Sequence, residues 1–316
     1  IHNNVSCKLR MRNEIMNKLT QEDIDLLPDY ETYLKDLQTL ENFDFNNKTS
    51  LEIYNLYYDY ARLLPTNFGT FNPEKFSKHT FFRARLNIDK KKEDITLAQT
   101  YSYPSSSICK SNGRANLKHR SVFYCSNDSN TAIIETKPKI GDIGFLSVWK
   151  GRPKRNIKIG ICLPHDLTET NEWNLMAKDI FEYQIENLEP EAKEKHKHLM
   201  ALYKFISRQF VVGKYPYPLT SMISYSMMFD DMWRDLIIYP SVVANSKFCN
   251  MAFHPNSVDE NLVFQKVFRF KVTDIINDLP HYVPAKIVGE IIKTKMIWRD
   301  ITNQELQMLG FYKTSS

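Results

Sequence analysis

The first part of the chain carries the spacing of apolar side chains that is typical of helices. Residues 10–64 are predicted to be helical, with an N-cap arrangement in which Thr49 and Ser50 precede Glu52. Pro65 predicts the end of this helical stretch. Apolar positions repeat within it at intervals of three and four residues: Leu51, Tyr54, Tyr58 and Ala61.

After residue 76 the pattern changes to short β-rich runs separated by polar turns. The runs that predict strands are Thr80–Leu86, Ser121–Cys125, Gly144–Trp149, Leu236–Tyr239, Asn250–Phe253, Val263–Val272 and Lys286–Trp298. Helical spacing returns between about residues 170 and 212 and in the short segment Ser221–Phe229. One apolar stripe of the longer segment is predicted to be core: Leu199, Leu202, Tyr203, Ile206 and Phe210. Strands that bracket a helical insertion, without regular alternation, favour an α+β fold over a doubly wound parallel sheet.

The same change of pattern divides the chain into regions. A length of 316 residues suggests about two domains, or one large domain that carries an extension. We predict a helical extension at residues 1–75, a main domain at residues 76–300 and a C-terminal tail at residues 301–316.

Charge and composition exclude several classes of protein. The 42 basic and 37 acidic residues give a net charge of +5, and the basic residues are spread through the chain, which argues against nucleic-acid binding. The sequence contains neither GxxxxGK[ST] nor GxGxxG, so the glycine-rich nucleotide fingerprints are absent. Five cysteines without a CxxC pair favour a reducing cytoplasm, and no apolar run reaches the roughly 18 residues that span a bilayer. We therefore expect a soluble, cytoplasmic protein that does not contact a membrane.

Metal binding is not expected either. His196 and His198 lie two residues apart in a helical segment, so their side chains face different directions. We interpret both as solvated side chains and predict no metal site.

Three segments place polar side chains where burial is expected. In the first, strand periodicity puts Arg83 and Arg85 on one face of Thr80–Leu86. Two guanidinium groups on one face suit a phosphate-rich ligand, because each presents a planar fork of donors. The alternative interpretation is a solvent-facing edge strand.

The second segment begins with the turn Gly113–Asn116, which can bring Arg114 and Asn116 towards a ligand. Asp128 can then cap a short helix. Glu135 follows the apolar residues of that helix and is expected to point inward, where an unpaired carboxylate is costly. Such a residue either performs chemistry or pairs structurally with an arginine.

The third segment contains Ser241, which follows an apolar run and Pro240, with Asn250 downstream. Nothing there matches the GxSxG motif of hydrolases, and no His/Asp partner is placed to activate the hydroxyl. We interpret Ser241 as a hydrogen-bonding residue.

The order of these segments resembles the RES family, which is named for its Arg, Glu and Ser and includes bacterial toxins that consume NAD. The similarity covers roughly residues 76–275. Its motifs here are Phe82-Arg83-Ala84-Arg85, Gly113-Arg114-Ala115-Asn116, Phe123-Tyr124-Cys125-Ser126, Thr131-Ala132-Ile133-Ile134-Glu135 and Tyr239-Pro240-Ser241 with Asn250. The chain departs from many relatives at Lys118-His119-Arg120, where they carry a Gly, and Arg120 becomes an additional phosphate candidate.

The resemblance implies an ADP-ribosyltransferase-like fold: a split, mostly antiparallel β core with helical insertions, NAD as the substrate and no metal. The catalytic residues that it implies are Arg83, Glu135 and Ser241. Arg83 is expected to hold phosphate, Glu135 to bond a ribose hydroxyl beside the developing cation, and Ser241 to orient ribose or nicotinamide. The residues expected to bind NAD are Arg83, Arg114, Asn116, Tyr124, Ser241 and Asn250.

The activity implied is degradation of NAD by a glycohydrolase or phosphorylase, in a bacterial toxin or defence effector. Two alternatives stay open: an ADP-ribosyltransferase that modifies a protein target, and a non-catalytic module that senses a nucleotide. The expected partners are NAD, inorganic phosphate as a possible acceptor, and an antitoxin or activating protein.

Overall fold

The computed structural model describes residues 25–61, 68–164, 172–186, 195–230, 233–243, 247–277, 279–292 and 295–309. In this part of the chain the α-helices are α1 Tyr30–Glu41, α2 Ser50–Ala61, α3 Pro73–Phe76, α4 Ser129–Ile134, α5 Glu172–Glu186, α6 His196–Val212, α7 Pro218–Phe229, α8 Pro255–Asn261 and α9 Asn303–Met308. The strands are β1 Phe68–Phe71, β2 Thr80–Leu86, β3 Phe123–Ser126, β4 Ile143–Gly151, β5 Ile157–Ile161, β6 Leu236–Pro240, β7 Cys249–Phe253, β8 Leu262–Ile276, β9 Leu279–Ile292 and β10 Lys295–Asp300. Short 3₁₀ turns lie at Ala98–Tyr101 and Ser106–Ile108.

The chain forms two compact units whose segments interleave along the sequence. Unit 1 contains the described residues of Ile1–Phe71, Ser105–Val122 and Ile157–Pro240. Unit 2 contains those of Asn72–Pro104, Phe123–Asn156 and Ser241–Ser316. The three sequence regions bounded at residues 75 and 300 stay a prediction.

Unit 1 combines helices with a small set of strands. Strand β5 pairs antiparallel with β1 and parallel with β6. On α6 the predicted core stripe is confirmed, because Leu199, Leu202, Tyr203, Ile206 and Phe210 are all buried. The predicted helix Ser221–Phe229 begins earlier, at Pro218, which occupies the first turn.

The N-terminal helical region is two helices rather than one continuous stretch, with residues 10–24 and 62–67 outside the described part. Thr49 caps α2: its hydroxyl accepts from the Glu52 N–H at 3.3 Å, and its own N–H donates to the Glu52 carboxylate at 2.8 Å. The buried residues of α2 are Ile53, Tyr57 and Ala61, while Leu51 is 67% exposed. The apolar repeat therefore predicted the helix correctly but only part of its buried face.

The interpretation of His198 as a solvated side chain is wrong. Its ring is 1% exposed, packs against Tyr30 and Tyr33, and lies 2.9 Å from the Pro28 carbonyl oxygen through Nε2. Burial lowers the pKa of His198. His196, two residues earlier, is exposed.

Unit 2 holds a seven-strand run in the order β7-β3-β2-β4-β8-β9-β10, and every neighbouring pair in it is antiparallel. Its core joins α4 to the sheet through apolar residues that include Ile133, Leu146 and Phe268. Where a single strand was expected at Lys286–Trp298, the structure has two strands, because β9 ends at Ile292 and β10 begins at Lys295 and pairs antiparallel with it. The mixed helical and mostly antiparallel strand content confirms the α+β fold.

Strand β2 carries Arg83 and Arg85, the two arginines of the first predicted segment. It pairs with β4 along its whole length, and with β3 through Phe82 and Ser126. It is therefore an interior strand, and the interpretation of Thr80–Leu86 as a solvent-facing edge is wrong. Ala84 and Leu86, on the same face as Phe82, pack against the core as strand periodicity predicts.

None of the helices in the described ranges is both long and apolar enough to cross a bilayer.

Candidate functional site

The Glu135 carboxylate is held by two side chains of unit 2. The Ser241 hydroxyl donates to Glu135 Oε1 at 2.7 Å, and the Asn250 amide donates to the same oxygen at 2.5 Å. Ser241 is fully buried and Asn250 is 6% exposed, whereas Glu135 is only partly buried. Within the described residues, Glu135 Oε2 accepts no hydrogen bond. One oxygen is therefore fixed by the protein and the other is left for a ligand.

Helix α4 presents this carboxylate. Asp128 caps the helix by accepting from the Thr131 N–H at 2.7 Å and the Thr131 hydroxyl at 2.8 Å, as the sequence predicted. Glu135 is the C-cap residue, and its N–H donates to the Thr131 carbonyl at 3.0 Å. A negative charge is unfavourable at the C-terminal end of a helix. Glu135 therefore contributes nothing to helix stability through its charge, which favours a functional reason for the carboxylate.

The position of Asn250 depends on pairing between β3 and β7. Asn250 lies opposite Ser126 in the register, and Ala252 lies opposite Tyr124. Because opposed residues share a face and successive residues alternate, Tyr124 and Asn250 lie on the same face of this strand pair.

Two residues that were not predicted as site residues clamp the start of β7. The Ser126 hydroxyl donates to the Cys249 carbonyl at 2.9 Å, and Asn127 Oδ1 accepts from the Cys249 N–H at 3.0 Å. Both bonds fix the residue that directly precedes Asn250. Their only signal in the sequence is a polar pair immediately after an apolar strand, which equally marks an ordinary turn.

Arg83 makes a separate contact with β3. Its Nη1 donates to the Tyr124 carbonyl at 2.8 Å, and its guanidinium carbon lies 5.5 Å from the centre of the Phe123 ring. Arg83 follows Phe82, so its side chain leaves β2 on the face opposite Phe82 and Ser126. No bond is seen between Arg83 and the Glu135 cluster in the described part of the chain; the two share strand β3 as their support.

Arg85 is already paired. Its guanidinium binds the Glu93 carboxylate through two bonds of 2.6 and 3.0 Å and donates to the Thr100 carbonyl. The expectation that Arg83 and Arg85 offer two equivalent cations to phosphate is therefore not supported for Arg85.

The remaining predicted residues belong to unit 1. Arg114 lies over the Tyr217 ring at 5.4 Å, and Asn116 is 7% exposed with its amide donating to the Leu117 carbonyl at 2.9 Å. Backbone bonds between Gly113 and Asn116, of 2.9 and 3.4 Å, close the predicted turn. The NAD-binding roles of Arg114 and Asn116 stay predictions.

The Cys125 thiol, between Tyr124 and Ser126 on β3, is buried. Burial raises the pKa of Cys125 well above its usual value, although the positive charge of Arg83 opposes the shift. Cys125 is therefore a neutral side chain of the core and not a nucleophile. Across the described ranges, no group of three or more His, Cys, Asp and Glu side chains is arranged to hold a metal ion.

Comparison with known proteins adds one finding. The model of the RES domain matches residues 82–272, which is more than half of the chain. The matched range includes Arg83, Tyr124, Glu135, Ser241 and Asn250. A search of curated proteins gives no match.

Proposed function

This chain belongs to the RES domain family, and we propose that it degrades NAD by cleaving the bond between nicotinamide and ribose. RES domains are associated with NAD-related enzymatic activity. The observation that supports this particular reaction is the Glu135 carboxylate, with Oε1 fixed by Ser241 and Asn250 and Oε2 left for a ligand.

Cleavage of the bond between nicotinamide and ribose requires a negative charge beside the anomeric carbon, which the Glu135 carboxylate can supply. When the glycosidic C–N bond breaks, its electron pair leaves with nicotinamide, and the anomeric carbon of ribose becomes positive. A fixed carboxylate beside that carbon stabilises a charge that exists only in the transition state, so it raises the rate rather than the affinity. The oxygen of water or phosphate then forms the new bond to carbon, and the acceptor loses its proton.

The other residues have supporting roles in this proposal. Ser241 and Asn250 hold Glu135 in one orientation, and Tyr124, on the same face as Asn250, stacks on or bonds the nucleotide. Arg83 leaves β2 on the face opposite Ser126, whereas Tyr124 and Asn250 share the face of Ser126, so phosphate binding by Arg83 stays a prediction. In this proposal the first role of Ser241 is to hold the Glu135 carboxylate. The resemblance to the family alone implied that Ser241 orients ribose or nicotinamide.

The test follows NAD by chromatography with the purified chain, with and without inorganic phosphate. ADP-ribose as product indicates a glycohydrolase, and its phosphorylated form indicates a phosphorylase. We expect Glu135→Gln, which keeps the shape and removes the charge, to lower turnover by at least about 100-fold, as for loss of one preorganised transition-state group.

Glu74→Gln is the matched control, because Glu74 lies on the surface in an exposed pair with Lys78. Its turnover should equal that of the unmodified protein, and both variants should keep the melting temperature. Full turnover in Glu135→Gln refutes the proposed mechanism. Label from NAD that appears on a discrete protein band in a lysate, instead of in free ADP-ribose, points to the transferase alternative.

The biological setting that we propose is a toxin or defence effector restrained by an antitoxin or an activating partner. This part rests on family analogy. An effector of this kind arrests growth when it is expressed alone and depletes cellular NAD, whereas the Glu135→Gln variant does neither.

A further inference from the structure

Unit 1 contains a cleft that includes none of the residues of the Glu135 cluster. It has a volume of about 330 Å³ and lies among helix α2, helix α7 and residues 117–120. That volume is at the lower end of the range for small-molecule pockets, roughly 300–1,000 Å³.

The interior of the cleft is apolar and aromatic. Leu117 and Met222 are buried against Ile53, and Tyr54 and Tyr225 pack on this group while remaining partly exposed. The Tyr225 ring stacks on Phe229 with the ring centres 5.8 Å apart and the planes within 10°. The cleft therefore offers an aromatic wall, formed by Tyr54 and Tyr225, to a flat ligand.

The rim carries two cations. Lys118 and Arg120 are exposed, and within the described residues neither side chain is paired with a carboxylate. The Arg120 guanidinium lies over the Tyr225 ring, 5.5 Å from its centre. The loop that carries both is fixed through its backbone, because the Lys118 N–H donates to Asn112 at 2.8 Å and the Arg120 N–H to the Leu117 carbonyl at 2.9 Å.

A carboxylate completes the lining. Asp230 accepts a hydrogen bond from the Tyr54 hydroxyl at 3.1 Å. It can also accept from an amino or hydroxyl group of a ligand. A ligand that uses all of these features has a flat body, a donor on its edge and a negative charge.

We propose that this cleft binds a small planar aromatic molecule with one or two negative charges, of which a nucleoside monophosphate is the representative chemistry. The ring packs against Tyr54 and Tyr225 above the apolar floor, the anion lies against Lys118 and Arg120, and Asp230 accepts from a donor on the ring or sugar. The proposal uses residues of unit 1 only, and its failure would not bear on the role of Glu135.

The test is a calorimetric titration of the full chain with AMP, adenosine and inorganic phosphate. AMP is expected to bind saturably, and adenosine and phosphate at least tenfold more weakly, because each supplies only part of the ligand. The absence of saturable AMP binding overturns the proposal. Equal affinity for adenosine overturns the assignment of the anion to Lys118 and Arg120.

Variants locate the binding site. Arg120→Gln removes a rim cation, and Leu51→Glu places a negative charge at the mouth of the cleft. Glu is well tolerated in the first turn of α2, and Leu51 is exposed, so the fold should be kept. Each variant should weaken AMP binding at least tenfold at an unchanged melting temperature.

Matched controls exclude general effects of charge. Lys197→Gln removes a cation that lies over another ring, that of Tyr30, at 4.8 Å, and Leu97→Glu changes a leucine that is 52% exposed and does not line the cleft. Both should bind AMP within twofold of the unmodified chain. AMP is also a part of NAD, so Arg83→Gln is measured as well. Binding that is lost in Arg83→Gln and unchanged in Arg120→Gln overturns the proposal, since AMP then occupies the NAD site.

Discussion

The two hydrogen bonds to Glu135 predict how activity responds when either donor is removed. Ser241→Ala and Asn250→Ala each delete one bond to Oε1 and leave the carboxylate in place. A hydrogen bond to a charged group contributes about 1.5–3 kcal/mol. At 1.36 kcal/mol for each factor of ten, each single variant should lower kcat/KM by about 10- to 150-fold.

The double variant is the sharper part of this prediction. Both donors bind the same oxygen, and one bond alone lets the carboxylate rotate away from its orientation. Once one donor is lost, the second therefore has little left to hold. The effect of the double variant should be clearly smaller than the sum of the two single effects, with a coupling energy of roughly 1 kcal/mol or more, in the range seen for residues in contact.

The kinetic constants separate two roles for Ser241. A residue that positions Glu135 acts on the transition state, so kcat falls and KM changes little. A residue that binds ribose or nicotinamide in the ground state raises KM and leaves kcat unchanged. NAD loss measured over a range of substrate concentrations gives both constants.

Two buried residues away from the cluster serve as controls. Ser224 is fully buried and donates to the Thr220 carbonyl at 2.8 Å, and Asn261 is 1% exposed and donates to Ser257 at 3.1 Å. Ser224→Ala and Asn261→Ala should reproduce any cost to stability without the loss of kcat. Additive effects in the double variant, or full activity in Ser241→Ala, would refute the reasoning.

Two further predictions concern stability. Hydrogen bonds from Arg299, and then from Lys266, hold the pKa of the buried Glu305 well below its ordinary value of 4.5, so its contribution is complete above that pH and is lost as the pH falls below it. Glu305→Gln should cost about 2–3 kcal/mol in urea unfolding at pH 7, less than for a fully buried ion pair because Arg299 is partly exposed. For His198, burial lowers the pKa, so protonation favours the unfolded chain and the free energy of unfolding falls as the pH drops below about 6.5. His198→Gln should remove that part of the pH dependence at a cost of about 1 kcal/mol at pH 7.

Each of these has a control on the surface. Glu74→Gln breaks an exposed pair and should change the unfolding free energy by less than about 0.5 kcal/mol. His196→Gln is the matched control for the substitution itself, at an exposed histidine of the same helix. The assignments fail if Glu305→Gln is no more costly than Glu74→Gln, or if the profile of His198→Gln follows that of the unmodified chain between pH 7 and 5.

Local signals explain which parts of the fold could be predicted. The Thr49–Glu52 cap, the Asp128 cap and the buried stripe of α6 each depend on residues within a few positions of one another. Boundaries between long antiparallel strands were less visible: Lys286–Trp298 looked like one strand because the sequence between β9 and β10 contains neither glycine nor proline. Periodicity also could not predict the contact between His198 Nε2 and the Pro28 carbonyl oxygen, because the two residues lie 170 positions apart in the chain.

The candidate site shows the same limit. The resemblance to a family indicated Glu135, Ser241 and Asn250 as site residues. Ser241 and Asn250, however, lie 106 and 115 residues after Glu135 in the chain. Both donors bind the same carboxylate oxygen because each is held in place by the backbone. The β3–β7 register fixes Asn250, and a bond of 3.1 Å from the Ser241 N–H to the Phe248 carbonyl fixes Ser241. No spacing rule in the sequence predicts that the two donors share one acceptor oxygen.

The two arginines of β2 show why counting charges overestimates a phosphate site. Strand periodicity made Arg83 and Arg85 equivalent, but Glu93, which follows in the adjoining loop, binds Arg85 through both carboxylate oxygens. A phosphate at Arg85 would have to displace a bidentate carboxylate of the same charge, so little net attraction is gained. Arg83 donates to the Tyr124 carbonyl, and phosphate binding by Arg83 stays a prediction. Of the two arginines, Arg85 is therefore the one whose contribution to a phosphate site was overestimated.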